Sequence, residues 1–275
     1  MGWFAVLASA LLFTACTDHS FAPRQGAPLD SQVLIGLTEV LPEHSLVLYC
    51  RTAREYPCVN YTLAAQAQTN RGGYSLQFDH VVAPAVCATA IGPARAELEL
   101  GTLGDGEHTL AMRARGSRLA GTLHVSAGAY AVDAPGDAVS FPEPILRRLP
   151  ANTLWGYFGY ATPERRADAD AVLAELRGLG ATPATLAAGH YSVRLREHPG
   201  ATLEGDAFTV DASGSPDYGA STGYYHVLPF ALTHSGDLTA VRDLVARVGR
   251  THGDAVHMRV FSTRGTAFYS WVLGR

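Results

Sequence analysis

The chain contains no lysine: all 21 of its basic residues are arginine. A Schiff base, a Ser-Lys dyad and a Walker-type phosphate loop each need a lysine amine, so those chemistries are excluded. Charge of either sign is sparse, at 17% of residues with a net −4. No stretch concentrates a basic face, which argues against nucleic acid as a partner because phosphate binding needs one. The apolar run at the N-terminus, Trp3 to Ala15, falls well short of the roughly 20 residues a spanning helix requires. Only four cysteines occur, and neither CxxC nor HxxxH nor HExxH spacing is present. No metal site and no cofactor are therefore expected. His252 with His257, and Asp79 beside His80, fix no shared metal-binding face.

What is present begins with an address. Residues 2 to 15 carry no charge, and the run closes on Leu12-Phe13-Thr14-Ala15-Cys16. Such a segment has the length of a signal-peptide core. Its end resembles a bacterial lipobox, in which a small residue precedes a cysteine that is lipidated after cleavage. Phe13 stands where leucine is usual, and no Lys or Arg precedes the apolar run. An ordinary cleaved signal and a buried N-terminal strand remain the alternatives. The resemblance implies a signal peptide over 1–15, lipidation at Cys16 and a tether over 16–30. Two acyl chains, at about 0.8 kcal/mol per buried methylene, would hold the mature chain stably at a membrane surface without spanning it. The partners expected there are the membrane itself and an envelope polysaccharide or protein. Asn60-Tyr61-Thr62 matches a glycosylation acceptor, which matters only in a eukaryotic secretory pathway.

A chain 47% hydrophobic is a folded one, and its length after cleavage suits two domains. From Gln32 to Asp133 the pattern is short runs of five to nine residues separated by turn residues such as Gly72-Gly73 and Asp105-Gly106. Several alternate, as at Leu98 and Leu100 or Leu110 and Met112. The expectation is an N-terminal all-β, immunoglobulin-like sandwich over 31–134. No Trp lies between Cys50 and Cys87, so only the architecture is implied. The four prolines of 135–150 read as an extended linker. Over 151–275 the period changes to that of an α+β domain. Thr162 and Pro163 mark the start of a helix carrying Val172, Leu173, Leu176 and Leu179, and a second helix carries Leu238, Val241, Leu244, Val245 and Val248. Phe158 with Phe230, Val172 with Leu244 and Leu176 with Val248 all lie 72 apart, so 153–210 and 223–273 read as two βαββ units.

Three cysteines follow Cys16, which permits three pairings. Cys50 and Cys58, flanking "RTAREYP", are the favoured disulfide candidates. Residues 219–223, "GASTG", match the G-x-S-x-G nucleophile motif, but a polar loop precedes Ser221 and a strand follows it, the reverse of what a nucleophile elbow needs. No catalytic residue is assigned. Strand alternation instead groups Trp155 with Tyr157, Arg194 with Arg196, His257 with Arg259, and Tyr269 with Trp271. If the helices cover the opposite side, these eight form an aromatic and cationic ligand-binding face. The competing reading packs that face into the interior. The expected function is a non-enzymatic binding or structural role at the cell envelope, with a hydrolase acting in the second domain as the competing class.

Overall fold

A computed structural model describes residues 26–134, 136–197, 201–204, 207–219, 226–253 and 255–271. Cys16 and Ser221 lie outside them. The fold is mostly β, with large sheets and two α-helices. None of the described helices is long and apolar enough to cross a membrane.

The first half comprises β1 (Ala27–Pro28), β2 (Val33–Leu41), β3 (Ser45–Tyr56), β4 (Thr62–Asn70), β5 (Gly73–Val82), β6 (Gly92–Thr102), β7 (Gly106–Ala114), β8 (Ser117–Ser126) and β9 (Ala129–Asp133). Their alternation sends one face inward. In β7, Leu110, Met112 and Ala114 are buried while Thr109, Ala111 and Arg113 face water. Those side chains join Val33, Ile35 and Leu37 of β2 and Leu46 and Leu48 of β3 in one core.

The segment read as a linker is built into this structure. β10 (Val139–Ser140) pairs in parallel with β2, and β11 (Ile145–Arg147) pairs antiparallel with β9. Residues 139–147 therefore reach both the second and the ninth strand. Val139 and Leu146 are buried in the same core, which no free linker would permit.

The second half begins with β12 (Thr153–Tyr160), a 3-10 turn over Pro163–Arg165 and α1 (Arg166–Gly178). Thr162 has extended backbone and makes no side-chain capping bond, so the α-helix starts three residues later than the Thr-Pro pair implies. Next come β13 (Thr182–Pro183), β14 (Gly189–Tyr191), β15 (Val193–Glu197), β16 (Ala201–Glu204), β17 (Phe208–Val210) and β18 (Pro216–Asp217). β19 (His226–Thr233), α2 (Leu238–His252), β20 (Val256–Ser262) and β21 (Thr266–Tyr269) complete the chain. Asp237 caps α2, its carboxylate accepting from the Thr239 amide at 2.9 Å.

Five strands form the second sheet in the order β13-β19-β12-β20-β21. Its even face, with Leu154, Phe158 and Tyr160, packs under Val172 and Leu176 of α1 and Leu244 and Val248 of α2. The strand after each helix pairs with the first strand of the other unit, β13 with β19 and β20 with β12, both antiparallel. That exchange is what two related strand-helix-strand units around a local two-fold would produce.

The two-unit reading fails beyond β13. The strands expected to complete the first βαββ unit leave this sheet: β15 runs parallel to β2, with Val193 opposite Glu39 and Leu195 opposite Leu41, and β14 pairs with β11. Two physical demands account for the departure. The edge of β2 offers unpaired backbone groups at 39–41, and the odd face of the second sheet carries Trp155, Tyr157 and Phe261, which need cover. β15 meets both, hydrogen bonding β2 at its edge while Val193 and Leu195 pack in the core around those rings.

The helices make opposite demands on their glycines. A methyl group on Gly249 of α2 would sit 1.9 Å from the Ser270 carbonyl oxygen, whereas one on Gly178 of α1 would meet nothing within 4 Å. Gly249→Ala is expected to destabilise the protein by about 1–3 kcal/mol, because forced overpacking outweighs the gain in helix propensity. Gly178→Ala is expected to stabilise it by roughly 0.5 kcal/mol. Thermal unfolding of the two variants should shift in opposite directions.

The disulfide also differs from expectation. Cys58 and Cys87 are bonded, with Cα atoms 5.3 Å apart. Cys50 is a buried free thiol. Its place in the middle of β3 explains this, since alternation points it into the core, while Cys58 lies past the strand end beside the β5–β6 loop. Burial pushes the Cys50 thiol up to about 12. An unfolded cysteine ionises near pH 8.5, so this raised value contributes stability that is full below that pH and is lost as pH rises toward 12. A water-soluble alkylating reagent at pH 9 should leave Cys50 unmodified until the chain unfolds. The bridge closes a loop of 29 residues, and replacing both partners by alanine is expected to cost about 3.5 kcal/mol in a denaturant titration.

Candidate functional site

The eight side chains expected on one face divide into three environments. Trp155 and Tyr157 are interior, at 0% and 1% exposure. The ring of Trp155 stacks on Phe261 with centroids 5.6 Å apart, and Tyr157 lies 5.1 Å from Tyr218. Phe208, Tyr191, Val193 and Leu195 complete their cover. The face is thus closed at its centre, because side chains of β14, β15 and β17 and Tyr218 just after β18 lie over it.

Arg194 and Arg196 do share a face, but on the opposite side of β15. Their even positions look away from the Trp155 core. Arg194 makes a forked contact with Glu97 of β6 at 2.8 and 3.3 Å, and Arg196 reaches Glu99 at 2.6 Å. These two ion pairs form a ladder that fastens the second half onto the first sheet. The Arg194 guanidinium also lies 4.6 Å from the centre of the Tyr49 ring.

His257, Arg259, Tyr269 and Trp271 come together at the other edge of the second sheet, half-buried on β20, β21 and the residues just after β21. The Arg259 guanidinium lies 5.2 to 5.8 Å from the ring centres of Tyr157, Phe261, Tyr269 and Trp271, and its Nη1 donates to the Tyr157 hydroxyl at 3.0 Å. His257 meets Trp271 edge to face at 5.4 Å. This arrangement encloses a cation among its own aromatic rings and leaves it positioned by the fold.

An open hollow forms where the halves join. The outward positions of β2, Leu34, Gly36 and Thr38, make its floor, and Tyr49 and Arg51 of β3 flank it. His190, Ser192 and Arg194 of the return segment face Pro142 and Glu143 across the groove, which holds about 380 Å³. Gly36 shapes the floor by omission: a methyl group there would meet only Tyr49 Cβ, at 3.9 Å. Thr38 and Ser192 exchange a hydroxyl hydrogen bond at 2.9 Å, closing one end. Beyond Tyr49 and Arg51, a second hollow of about 740 Å³ continues along Thr62, Arg95 and Glu97. Arg51 is exposed, and among the described residues no carboxylate pairs with it. The groove offers the Tyr49 ring, the Arg51 guanidinium, hydroxyls and the Glu143 carboxylate, while the Arg194 guanidinium is already held by Glu97.

No family model, curated protein or solved structure matches this chain.

A further polar cluster went unread in the sequence. Glu39, wholly buried, accepts from His44 Nδ1 at 2.8 Å and from Arg148 Nε at 3.2 Å. His44 has left-handed backbone, φ 55°, which turns its ring back over β2. Arg148 also donates to the Ser126 carbonyl at 2.8 Å and lies 4.9 Å over the Tyr130 ring. Tyr130 donates to the His44 carbonyl at 2.9 Å. Burial first, and then the nearby Glu39 carboxylate, hold the Tyr130 hydroxyl well above the usual tyrosine range. This cluster locks the segment after β11 to the β2–β3 turn. Its members are separated by up to 109 residues, so no local spacing could have revealed them.

Proposed function

We propose that the mature chain is a lipid-anchored extracytoplasmic protein that binds a saccharide of the cell envelope and carries out no reaction on it. In this reading an immunoglobulin-like sandwich presents the α+β half, and the ligand lies in the groove between them. The observation that carries the binding role is that groove, with Gly36 as its open floor and Tyr49, Arg51 and Arg194 beside it. Aromatic rings stack on sugar faces, guanidinium forks hold carboxylates, and the hydroxyl and carboxylate groups accept or donate to sugar hydroxyls. The Cys58–Cys87 bridge supports the compartment, since structural disulfides persist in oxidising surroundings. The sequence at Cys16 supports the anchor.

The groove is tested by calorimetric titration of the full chain with N-acetylmuramic acid and with N-acetylglucosamine. The carboxylated sugar should bind with a Kd on the order of a millimolar, and the neutral one more weakly because Arg51 then lacks its partner. Gly36→Leu projects into the floor, its Cβ meeting only Tyr49 Cβ at 3.9 Å, and should weaken binding at least about tenfold, the loss expected where a site is physically occupied. Absence of heat with either sugar, or unchanged binding by the Gly36→Leu variant, would contradict the reading.

A further inference from the structure

We propose that the loop between β5 and β6, residues 83–91, docks into the outer layer of the lipid bilayer beside the anchor. The proposal rests on the reading of Cys16 as lipidated, and the structure supplies the geometry. The chain enters the fold at the root of this loop: Ala27 pairs with Val81 and Pro28 with His80. Gly26 packs so tightly there that a methyl group on it would lie 1.8 Å from the His80 ring. Gly26 lies ten positions after Cys16, and ten residues fully extended span at most about 35 Å. A bilayer holding Cys16 is therefore within reach of the loop, and Val82, Val86 and Ile91, three of the exposed large apolar side chains among the described residues, lie on it or at its ends.

The composition of the loop suits that neighbour. From Val81 to Ala94 there is no charged residue. Val86 is 80% and Ile91 72% exposed, the two most exposed large apolar side chains among the described residues. Left to water, such residues would ordinarily turn inward. Here the backbone is pinned so that they do not. Cys87 is bonded to Cys58, the Asn60 side-chain amide donates to the Val86 carbonyl at 2.8 Å, and its oxygen accepts from the Ala88 amide at 3.1 Å. Three successive residues are thus fixed from one side, by a covalent bond and both ends of one amide. At the base Tyr56 and Tyr61 stack with centroids 4.9 Å apart, and tyrosine suits the boundary between acyl chains and water. A preorganised uncharged loop adds a second contact to a lipid anchor, sets the orientation of the fold on the membrane and costs little ordering entropy on insertion.

The test uses the full lipidated chain in phosphatidylcholine vesicles whose acyl chains are brominated. An indole is introduced by Val86→Trp, and in a control by Leu179→Trp at an exposed position of the second half. Flotation of the vesicles is measured on the same samples. The chain's own Trp155 and Trp271 also emit, so the emission of the parent chain in the same vesicles is subtracted. Protein that floats, with emission of the introduced indole at 86 quenched about twofold or more and that at 179 unchanged, supports docking at the shallow depth expected of an interfacial segment. Protein that floats with neither indole quenched overturns the docking and leaves the anchor standing, as would be found if the loop served a protein partner. Protein that does not float overturns the anchor and the docking together.

Discussion

Trp155→Ala is expected to destabilise the protein by about 3–5 kcal/mol, the cost of deleting a fully buried large ring that its surroundings cannot collapse onto. The ring has no exposed surface and lies between Phe261 and the return strands. Set against a total stability of about 5–15 kcal/mol, a loss of this size should be plain in a urea titration. Trp155→Phe should cost far less, about 1 kcal/mol, because the lost volume is smaller and a buried donor disappears with it. Among the described residues the Trp155 Nε1–H has no hydrogen-bond partner. An open aromatic platform would behave oppositely: truncation would move stability by less than about 1 kcal/mol. The pair of variants therefore asks whether β14 to β18 close the odd face of the second sheet.

The second large effect is expected at Arg148. Arg148→Met removes the guanidinium that pairs with Glu39, leaving a carboxylate at 0% exposure with the His44 ring and the Tyr130 hydroxyl as its remaining side-chain neighbours. Breaking a buried ion pair from one side typically costs about 3–5 kcal/mol, most of it the cost of the charge left behind. The sign of the coupling is as informative as the size. Adding Glu39→Leu to Arg148→Met removes the stranded charge, so the double variant should be more stable than the single one. If the double variant instead loses the sum of two independent costs, the cluster is not acting as a unit. Both measurements are denaturant midpoints, with the m-value checked for constancy.

The sequence made the inside of each half legible where one periodicity ruled. The alternation at Leu110 and Met112 and the stripes through Val172, Leu176, Leu244 and Val248 correspond to buried faces. The fate of β14 and β15 was not legible. Tyr191, Val193 and Leu195 form a one-sided apolar pattern that reads identically whichever sheet the strand joins. What chose the sheet was the edge of β2, more than 150 residues earlier in the chain. The same distance hid the groove, whose floor is a strand glycine and whose wall is an arginine already paired across the sheet. Aromatic and arginine spacing did group His257, Arg259, Tyr269 and Trp271 correctly as neighbours, but spacing carries no information about what packs on top of them. Cysteine spacing was equally silent, because Cys58 and Cys87 meet through the path of β4 and β5.

The proposed function depends on a lipid at Cys16 that holds this fold at a membrane. The direct measurement is the intact mass of the N-terminal peptide from membrane-fraction protein made in its own host. Lipidation predicts a peptide that begins at Cys16 and carries a diacylglyceryl-sized increment. An unmodified Cys16 or a retained Met1 would contradict it, leaving the groove and its sugar to be tested as properties of an unanchored protein.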